Sequence, residues 1–396
     1  MSDWILADGF RYAGIHCGLR PEPTRRDLAI IVSDRPAAAA GVFTQNRVCA
    51  APVHLCRERL PRADARAIVI CSGNANACTG EQGMADAHRM AQITAQSLKC
   101  DAEQVLVAST GVIGRLLPMK VFESGIPQAV NMLESGENAL VQAATAILTT
   151  DTRSKIRSRS LTLSGKEVRL TGFCKGAAMI GPNMATMLGF LCTDAAVSPK
   201  DLHTILQHAV EPTFNCVSVE GHTSTNDTVL IMANGTGEPL MGDDLHRFAT
   251  AVMDVCADLA RDIASDAEGA KHLVIIDVEG ARTDAEAKQV AKTIAESALV
   301  KTAIYGADPN WGRFVSAAGY SGVMFEEREL SLWLGDMLLY REGQPLPFDP
   351  ATASGYLKQN REVHMRLRFT LGTGRCTFYT CDLTPEYVHL NADYTT

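Results

Sequence analysis

The sequence predicts a mixed α/β fold, α+β in character, with substantial antiparallel sheet. Three observations carry this. Short β-branched apolar runs alternate with amphipathic helical patterns through most of the chain. A hairpin signature spans Ser158–Thr171, turning near Ser164-Gly165. From about residue 300 onward the chain reads mostly as strands, with Val363, Met365, Leu367, Phe369 and Leu371 alternating in one of them. The pattern is not a doubly wound βαβ series, and no internal repeat is visible.

The elements follow in order. Leu28–Ser33 and Ala67–Ser72 are short apolar runs that stop at turn residues, and read as strands. A small-residue loop, Ser72–Gly83, precedes a helix over Met84–Leu98, whose Ala87, Met90, Ala91, Thr94 and Leu98 share a face. A strand at Gln104–Ala108 runs into Ser109–Gly114, and a helix is expected over Asn138–Leu148. Pro199 opens a helix reaching Ala209, as proline at a first helical position favours. Strands are expected at Thr228–Ala233, His272–Val278 and Leu330–Leu334, and helices over Asp243–Ala264 and Asp284–Leu299. Gln344–Pro350 reads as a proline-containing surface stretch.

With 396 residues, the chain is long enough for two or three packed units. Its formal net charge of −8 argues against nucleic acid or an anionic membrane as the main partner, since both need a basic face. A locally basic pocket for a small anion remains compatible with it. The 12 cysteines form no CxxC pair and no zinc spacing, so they read as buried thiols in a reducing cytoplasm, and no metal is expected. The 10 histidines do not cluster; His203 and His208 are five apart and share no helix face. The N-terminal stretch has neither a basic region nor an apolar one, and no apolar run is long enough to span a membrane; a cytoplasmic protein is expected. Phosphate-loop, GxGxxG, HExxH and GxSxG motifs are absent.

What the sequence does carry is a set of small, polar, glycine-rich segments. Ser109-Thr110-Gly111 can aim a hydroxyl and a backbone N–H at one point, which an oxyanion hole requires, although such a tripeptide is commonly a plain turn. Lys175–Leu188 mixes apolar and very small residues with one charge. Gly221–Thr228 is dense in hydroxyls before a strand, and Gly306–Arg313 is a fourth such segment. Each is a weak signal alone.

Taken together and in order, these segments resemble the ornithine acetyltransferase family of arginine biosynthesis, also called glutamate N-acetyltransferase. The resemblance covers essentially the whole chain. It rests on Ser72–Glu81, Ser109–Gly114, Thr149–Thr152, Lys175-Gly176, Pro182–Leu188, Ser224–Asn234, Glu268-Gly269-Ala270, Gly306–Arg313 and Asn391–Thr396. It implies a layered sandwich of sheets between helices, similar to the N-terminal-nucleophile fold, with a smaller C-terminal α/β unit from about residue 280. It also implies self-cleavage between Ala185 and Thr186, giving residues 1–185 and 186–396. The freed α-amine of Thr186, with a pKa of about 7.7–8.0, then serves as general base for its own hydroxyl.

The implied reaction is ping-pong acetyl transfer through acetyl-Thr186. N-acetylornithine donates, glutamate accepts, and Thr110 and Gly111 hold the oxyanion. Thr149, Lys175, Thr186, Glu268, Asn391 and Thr396 are the implied substrate-binding positions. Lys175 suits a carboxylate and Glu268 a side-chain ammonium. Acetyl-CoA is a possible second acetyl donor, no other cofactor is expected, and the fragments are expected to assemble as paired α/β heterodimers or larger oligomers. The chain departs from the family pattern at Arg153, Ser154, Ala178 and His222, which leaves room for a different acceptor. The competing readings are a threonine-nucleophile amidase or aminopeptidase, and a non-catalytic protein that keeps the fold.

Overall fold

The computed structural model describes residues 4–181 and 187–393. Ala185, Thr186 and Thr396, expected in the site, lie outside the described residues. The first half contributes β1 (Phe10–Ile15), β2 (Leu28–Phe43), α1 (Ala51–Arg59), β3 (Arg62–Asn74), α2 (Gly80–Leu98), β4 (Val105–Val112), α3 (Met119–Asn131), α4 (Glu137–Ala146), β5 (Lys155–Leu163) and β6 (Lys166–Lys175). Then come β7 (Leu188–Thr193), α5 (Pro199–Val210), β8 (Thr228–Ala233), α6 (Gly242–Ser265), β9 (Leu273–Ala281), α7 (Asp284–Glu296), α8 (Ala298–Tyr305) and α9 (Trp311–Gly319). The chain ends with β10 (Leu330–Leu334), β11 (Met337–Arg341), β12 (Gln344–Pro345), α10 (Pro350–Gln359), β13 (Glu362–Phe369), β14 (Gly374–Cys381) and α11 (Pro385–Asp393).

Among the described residues there are two sheets. The first runs β4-β3-β2-β8-β7-β6-β5, with β1 beside β2, and the second runs β12-β11-β10-β13-β9-β14. Side-chain alternation sorts the first sheet into two faces. Phe190, Leu230 and Met232 join the core under α2, α3 and α4, whereas Leu191, Val229 and Ile231 join the core under α5 and α6. The second sheet does the same. Leu273 and Ile275 face the α5–α6 core, and Val274, Ile276 and Val278 face α7, α8 and α9. Helix α6 touches β5 and β6 on one side and β9 and β14 on the other. The architecture is therefore helices, sheet, helices, sheet, helices: the layered α/β sandwich that the family resemblance implies.

Several elements match their sequence expectation closely. Thr228–Ala233 and Leu330–Leu334 are strands with those bounds, and the hairpin turns at Ser164-Gly165, both with positive φ (48° and 75°). Others differ for physical reasons. The first strand does not stop at Ser33. It passes Pro36 through a register shift between Val32 and Ala37, so that β1 pairs with its first half and β8 with its second while β3 pairs with both. The helix expected to reach Leu299 breaks at Ser297, whose extended backbone and side chain cap a second helix through Val300 N–H. The last hundred residues are not mostly strands: α8, α9, α10 and α11 stand among them. No helix among the described residues is long and apolar enough to cross a membrane.

Packing between layers is close. A Cβ on Gly14 in β1 would lie 2.0 Å from the Gln142 carbonyl oxygen of α4. Gly14→Ala must therefore push α4 off the sheet, and is expected to lower unfolding free energy by at least about 2 kcal/mol. Denaturant melts of the variant check this; an unchanged midpoint would contradict the packing.

Candidate active-site cleft

The site begins at the ends of β3 and β4. These strands run parallel, with Ser72 opposite Thr110 and Gly73 opposite Gly111, and the register slips at Asn74. Gly111 has φ +130°, and a Cβ there would sit 2.3 Å from the Gly73 carbonyl carbon, so only glycine fits. The segment before β8 is stapled onto this end. Asn226 Nδ2 donates to the Ala75 carbonyl (2.6 Å) and the Ser109 carbonyl (2.8 Å), while Thr225 Oγ1 donates to Asn226 Oδ1 (2.6 Å).

A second group of residues closes the opposite wall. Asp151 accepts from Lys155 Nζ (2.7 Å), Gly176 N–H (2.6 Å) and Thr149 N–H (3.1 Å). Lys155 Nζ also donates to Asp266 (2.6 Å), which takes Thr152 N–H as well. This buried network joins the Thr149–Thr152 turn to the end of β6 and to the turn carrying Glu268. Burial pushes Asp151 up, but the charges of Lys155 and Lys175 with the Lys155 and Gly176 hydrogen bonds hold it at about 2. Burial works the other way on Lys175: it holds the ammonium below its ordinary range, with Lys155 and Arg20 adding to the effect and Asp151 and Asp227 opposing it.

The third wall comes from the end of the chain. Glu268 N–H donates to the Ala177 carbonyl (2.9 Å), and Gly269 turns with φ +66° tight under α11. Asn391 Nδ2 reaches from α11 to Glu268 Oε2 at 2.8 Å. These walls enclose a cavity of about 400 Å³ lined by Thr110, Gly111, Thr149, Lys175, Glu268 and Asn391, all expected from the sequence. Thr186 and Thr396 fall outside the described residues. Ser224, Thr225 and Asn226, from the hydroxyl-dense segment, also line it.

Sequence reasoning missed the loop between β1 and β2. Arg20, Glu22 and Arg25 line the cavity, and Arg115 joins them. Arg20 Nη2 donates to the Leu148 carbonyl (2.7 Å) and Arg25 to the Thr149 carbonyl, so the loop is tied to the same turn. The only local signal was a charged Gly-Leu-Arg-Pro stretch at residues 18–21. Of the family departures, only Ala178 lines the cavity. Arg153 instead reaches Asp262 (3.3 Å) and Ser265 (3.0 Å) on α6, and His222 is solvent-exposed.

The segment from Ser218 to Thr228 grips the chain on either side of residues 182–186. The Ile180 carbonyl accepts N–H groups from Val219 (2.8 Å), Gly221 (3.2 Å) and Glu220 (3.3 Å). On the other side Met187 N–H donates to Asp227 Oδ1 (3.1 Å), and Thr228 N–H to the Met187 carbonyl (3.2 Å). Asp227 is fully buried with Oδ2 unpartnered among the described residues, and burial raises its carboxyl well above the usual range. Among the described residues no group of acidic, histidine or cysteine side chains is arranged to hold a metal.

Fold and cleft together define a layered α/β protein whose cavity brings a Thr-Gly pair on a strand end together with charged groups of both signs. Residues 11–396 match the ArgJ family. A relative from Rhodopirellula baltica, "Arginine biosynthesis bifunctional protein ArgJ", is 43% identical over 397 residues, covering 99% of this chain and 97% of its own. The namesake from Thermosynechococcus vestitus is 45% identical over 425 residues, covering all of both chains. The crystal structure of the Bacillus halodurans protein of that name is 40% identical, covers 51% of this chain and 96% of its own, and has a TM-score of 0.49. The chain belongs to the ArgJ family.

Glu220 flanks Glu268 and yields a pH prediction. Both its carboxyl oxygens are buried without a hydrogen-bond partner among the described residues. Burial raises its pKa to about 8, with the Glu268 charge adding to the rise and the Lys301 charge only partly opposing it. The folded value is above the unfolded one, so stability is full below the unfolded pKa and falls as pH rises toward 8. The slope is at most about 1.4 kcal/mol per pH unit. Glu220→Gln should flatten that decline in thermal melts between pH 5 and 8; parallel curves for wild type and variant would refute it.

Proposed function

We propose that this chain is a self-cleaving acetyltransferase of arginine biosynthesis, moving acetyl from N2-acetyl-L-ornithine to L-glutamate. The observation that carries the reading is the convergence of Thr110, Gly111, Thr149, Lys175, Glu268 and Asn391 on one cavity, although they are spread over most of the sequence. Full-length identity to relatives named for arginine biosynthesis supports it.

In this reading the Thr186 hydroxyl attacks the Ala185 carbonyl carbon. The C–N bond breaks, an ester forms, and water releases residues 1–185 from 186–396. The liberated amine of Thr186 then takes the proton from its own hydroxyl as that oxygen attacks the acetyl carbonyl of N-acetylornithine. Ornithine leaves with a proton on its amine. The glutamate amine attacks acetyl-Thr186, giving N-acetylglutamate and the free hydroxyl. Thr110 Oγ1 and Gly111 N–H stabilise both oxyanions. Lys175 takes a substrate carboxylate and Glu268 the ornithine side-chain ammonium, with Asn391 bonded to Glu268. Thr396 contributes from the chain end.

Acetyl-CoA is the second donor we assign, in keeping with the word "bifunctional" in the relatives' name. Fragments 1–185 and 186–396, the latter with its C-terminal subdomain from about residue 280, should stay together, because β6 pairs with β7 and β2 with β8 across the proposed cut. We place the enzyme in the cytoplasm, as a heterotetramer or larger assembly of the two fragments.

Thr186→Ala should remain one uncut chain without transferase activity. Intact mass and an acetyl-transfer assay from N-acetylornithine to glutamate check this; full activity in that variant would end the assignment. Thr110→Ala should lower kcat by roughly 100- to 1,000-fold with little change in KM. An effect confined to KM would contradict the oxyanion role. Faster release of free acetate than of N-acetylglutamate would mark a hydrolase instead.

A further inference from the structure

A second cavity, of about 840 Å³, opens where the end of α5 and the turn Phe214–Cys216 meet α7 and strand β14. Cys216 and Cys376 both line it, as do Glu211 and Lys288. Their sulfurs lie 3.7 Å apart although the residues are 160 apart in sequence. Among the described residues no other two cysteine sulfurs are in such contact. The mechanism proposed above uses neither thiol.

We propose that Cys216 and Cys376 form an oxidisable dithiol, a modification site that closes to a disulfide on reaction with a hydroperoxide. A disulfide needs its sulfurs about 2.05 Å apart, so closure requires less than about 2 Å of sulfur travel. Cys216 is buried, and the cavity that both thiols line is the route by which a small oxidant reaches it. Cys376 is partly exposed on β14, the end strand of the second sheet, whose outer side carries only an isolated bridge at Tyr379.

The local chemistry supplies a nucleophile. The Cys376 thiol beside Cys216 favours ionisation of Cys216, and the Lys288 ammonium adds to this against burial and the Glu211 charge. Burial has the opposite effect on the core thiols of Cys56, Cys192 and Cys256, each pushed up to about 12. The Cys216 thiolate attacks one oxygen of the hydroperoxide. The O–O bond breaks, the leaving alkoxide takes a proton as the alcohol, and Cys216 becomes a sulfenic acid. The Cys376 sulfur then attacks the Cys216 sulfur, the S–O bond breaks, and water leaves with the thiol proton. Two thiols and one hydroperoxide thus give one disulfide, one alcohol and one water.

The bond would fasten a segment that matters to the cleft. Just past Cys216, Val217 bridges Tyr379 of β14, and Ser218 N–H donates to the Tyr379 carbonyl at 3.0 Å. The same segment continues into the N–H groups that hold Ile180 and on to Ser224–Asn226 in the cleft. Cross-linking at 216–376 would pin this segment's start to the second sheet.

The test treats the reduced, folded full-length protein with one equivalent of hydrogen peroxide and maps its peptides without reductant. The expected product is a Cys216–Cys376 linked peptide pair, two fewer free thiols, a mass loss of about 2 Da and a higher Tm, all reversed by dithiothreitol. Cys78, the exposed cysteine among the described residues, is the competitor that mere accessibility would favour. Cys78→Ser should still form the linked pair at the wild-type rate, and Cys376→Ser should not form it. Oxidation landing first on Cys78, a different cysteine pairing, or cross-linking only after denaturation would each overturn the proposal.

Discussion

The cleft depends on one buried cation. Lys155 has a fully buried side chain, and its Nζ lies 2.7 Å from Asp151 and 2.6 Å from Asp266, both also buried. Removing three such charges from water is costly, and an isolated member would be more costly still. The arrangement is tolerable because nearly every remaining lone pair is used: Asp151 also takes Gly176 and Thr149 N–H groups, and Asp266 takes Thr152 N–H. Those extra bonds reach the Thr149–Thr152 turn and the end of β6, while Asp266 itself stands two residues before Glu268. The ion triad is therefore less a source of stability than a junction that fixes the Thr149 turn, the Lys175 strand end and the Glu268 turn relative to one another. Lys175 feels it directly, through Asp151 on one side and Lys155 on the other.

A second constraint acts on Ile180, Gly181 and Met187. One segment, Ser218–Thr228, holds both flanks by backbone and carboxyl hydrogen bonds, and a Cβ on Gly181 would lie 2.5 Å from the Gly221 carbonyl carbon. The first sheet enforces the same closure. Lys175 pairs with Leu188 across β6 and β7, which fixes the end of one strand beside the start of the other. Both the hydrogen bonds and the sheet pairing lie on described residues, and neither needs a covalent link between the flanks.

The sequence made strongly periodic elements readable and left compact ones hidden. The long α6 stripe, the hairpin at Ser164-Gly165 and the strand Thr228–Ala233 follow from spacing and turn chemistry. Leu188–Thr193 does not, because all six of its residues are buried and a doubly covered strand has no polar alternation to show. Helix α1 escaped because its polar and apolar residues do not segregate into a clear stripe. The cleft was readable through small motifs whose order matched a family, not through local chemistry: Gly111 and Asn226 acquire meaning only when β3, β4 and the Ser224–Asn226 segment meet. Arg20 and Arg25 were invisible for the same reason, since an arginine in a surface-like loop looks solvated until the Thr149 turn is placed beneath it.

The net charge of −8 and the character of the cleft are compatible because charge is arranged locally. Four cations, Arg20, Arg25, Arg115 and Lys175, line the cavity against two carboxylates, Glu22 and Glu268. Such a lining attracts an anion even on an acidic protein, since nearby charges in a partly dry cleft outweigh distant screened ones. The Glu268 side obeys a complementary rule. Glu220 lies near enough to feel that carboxylate, yet burial leaves its own oxygens unpartnered. Two ionised carboxylates in such surroundings would repel without water to separate them. The raised pKa of Glu220 resolves the conflict by keeping its proton near neutrality. Glu268, held by Asn391, lines the same cavity as the buried Lys175 side chain.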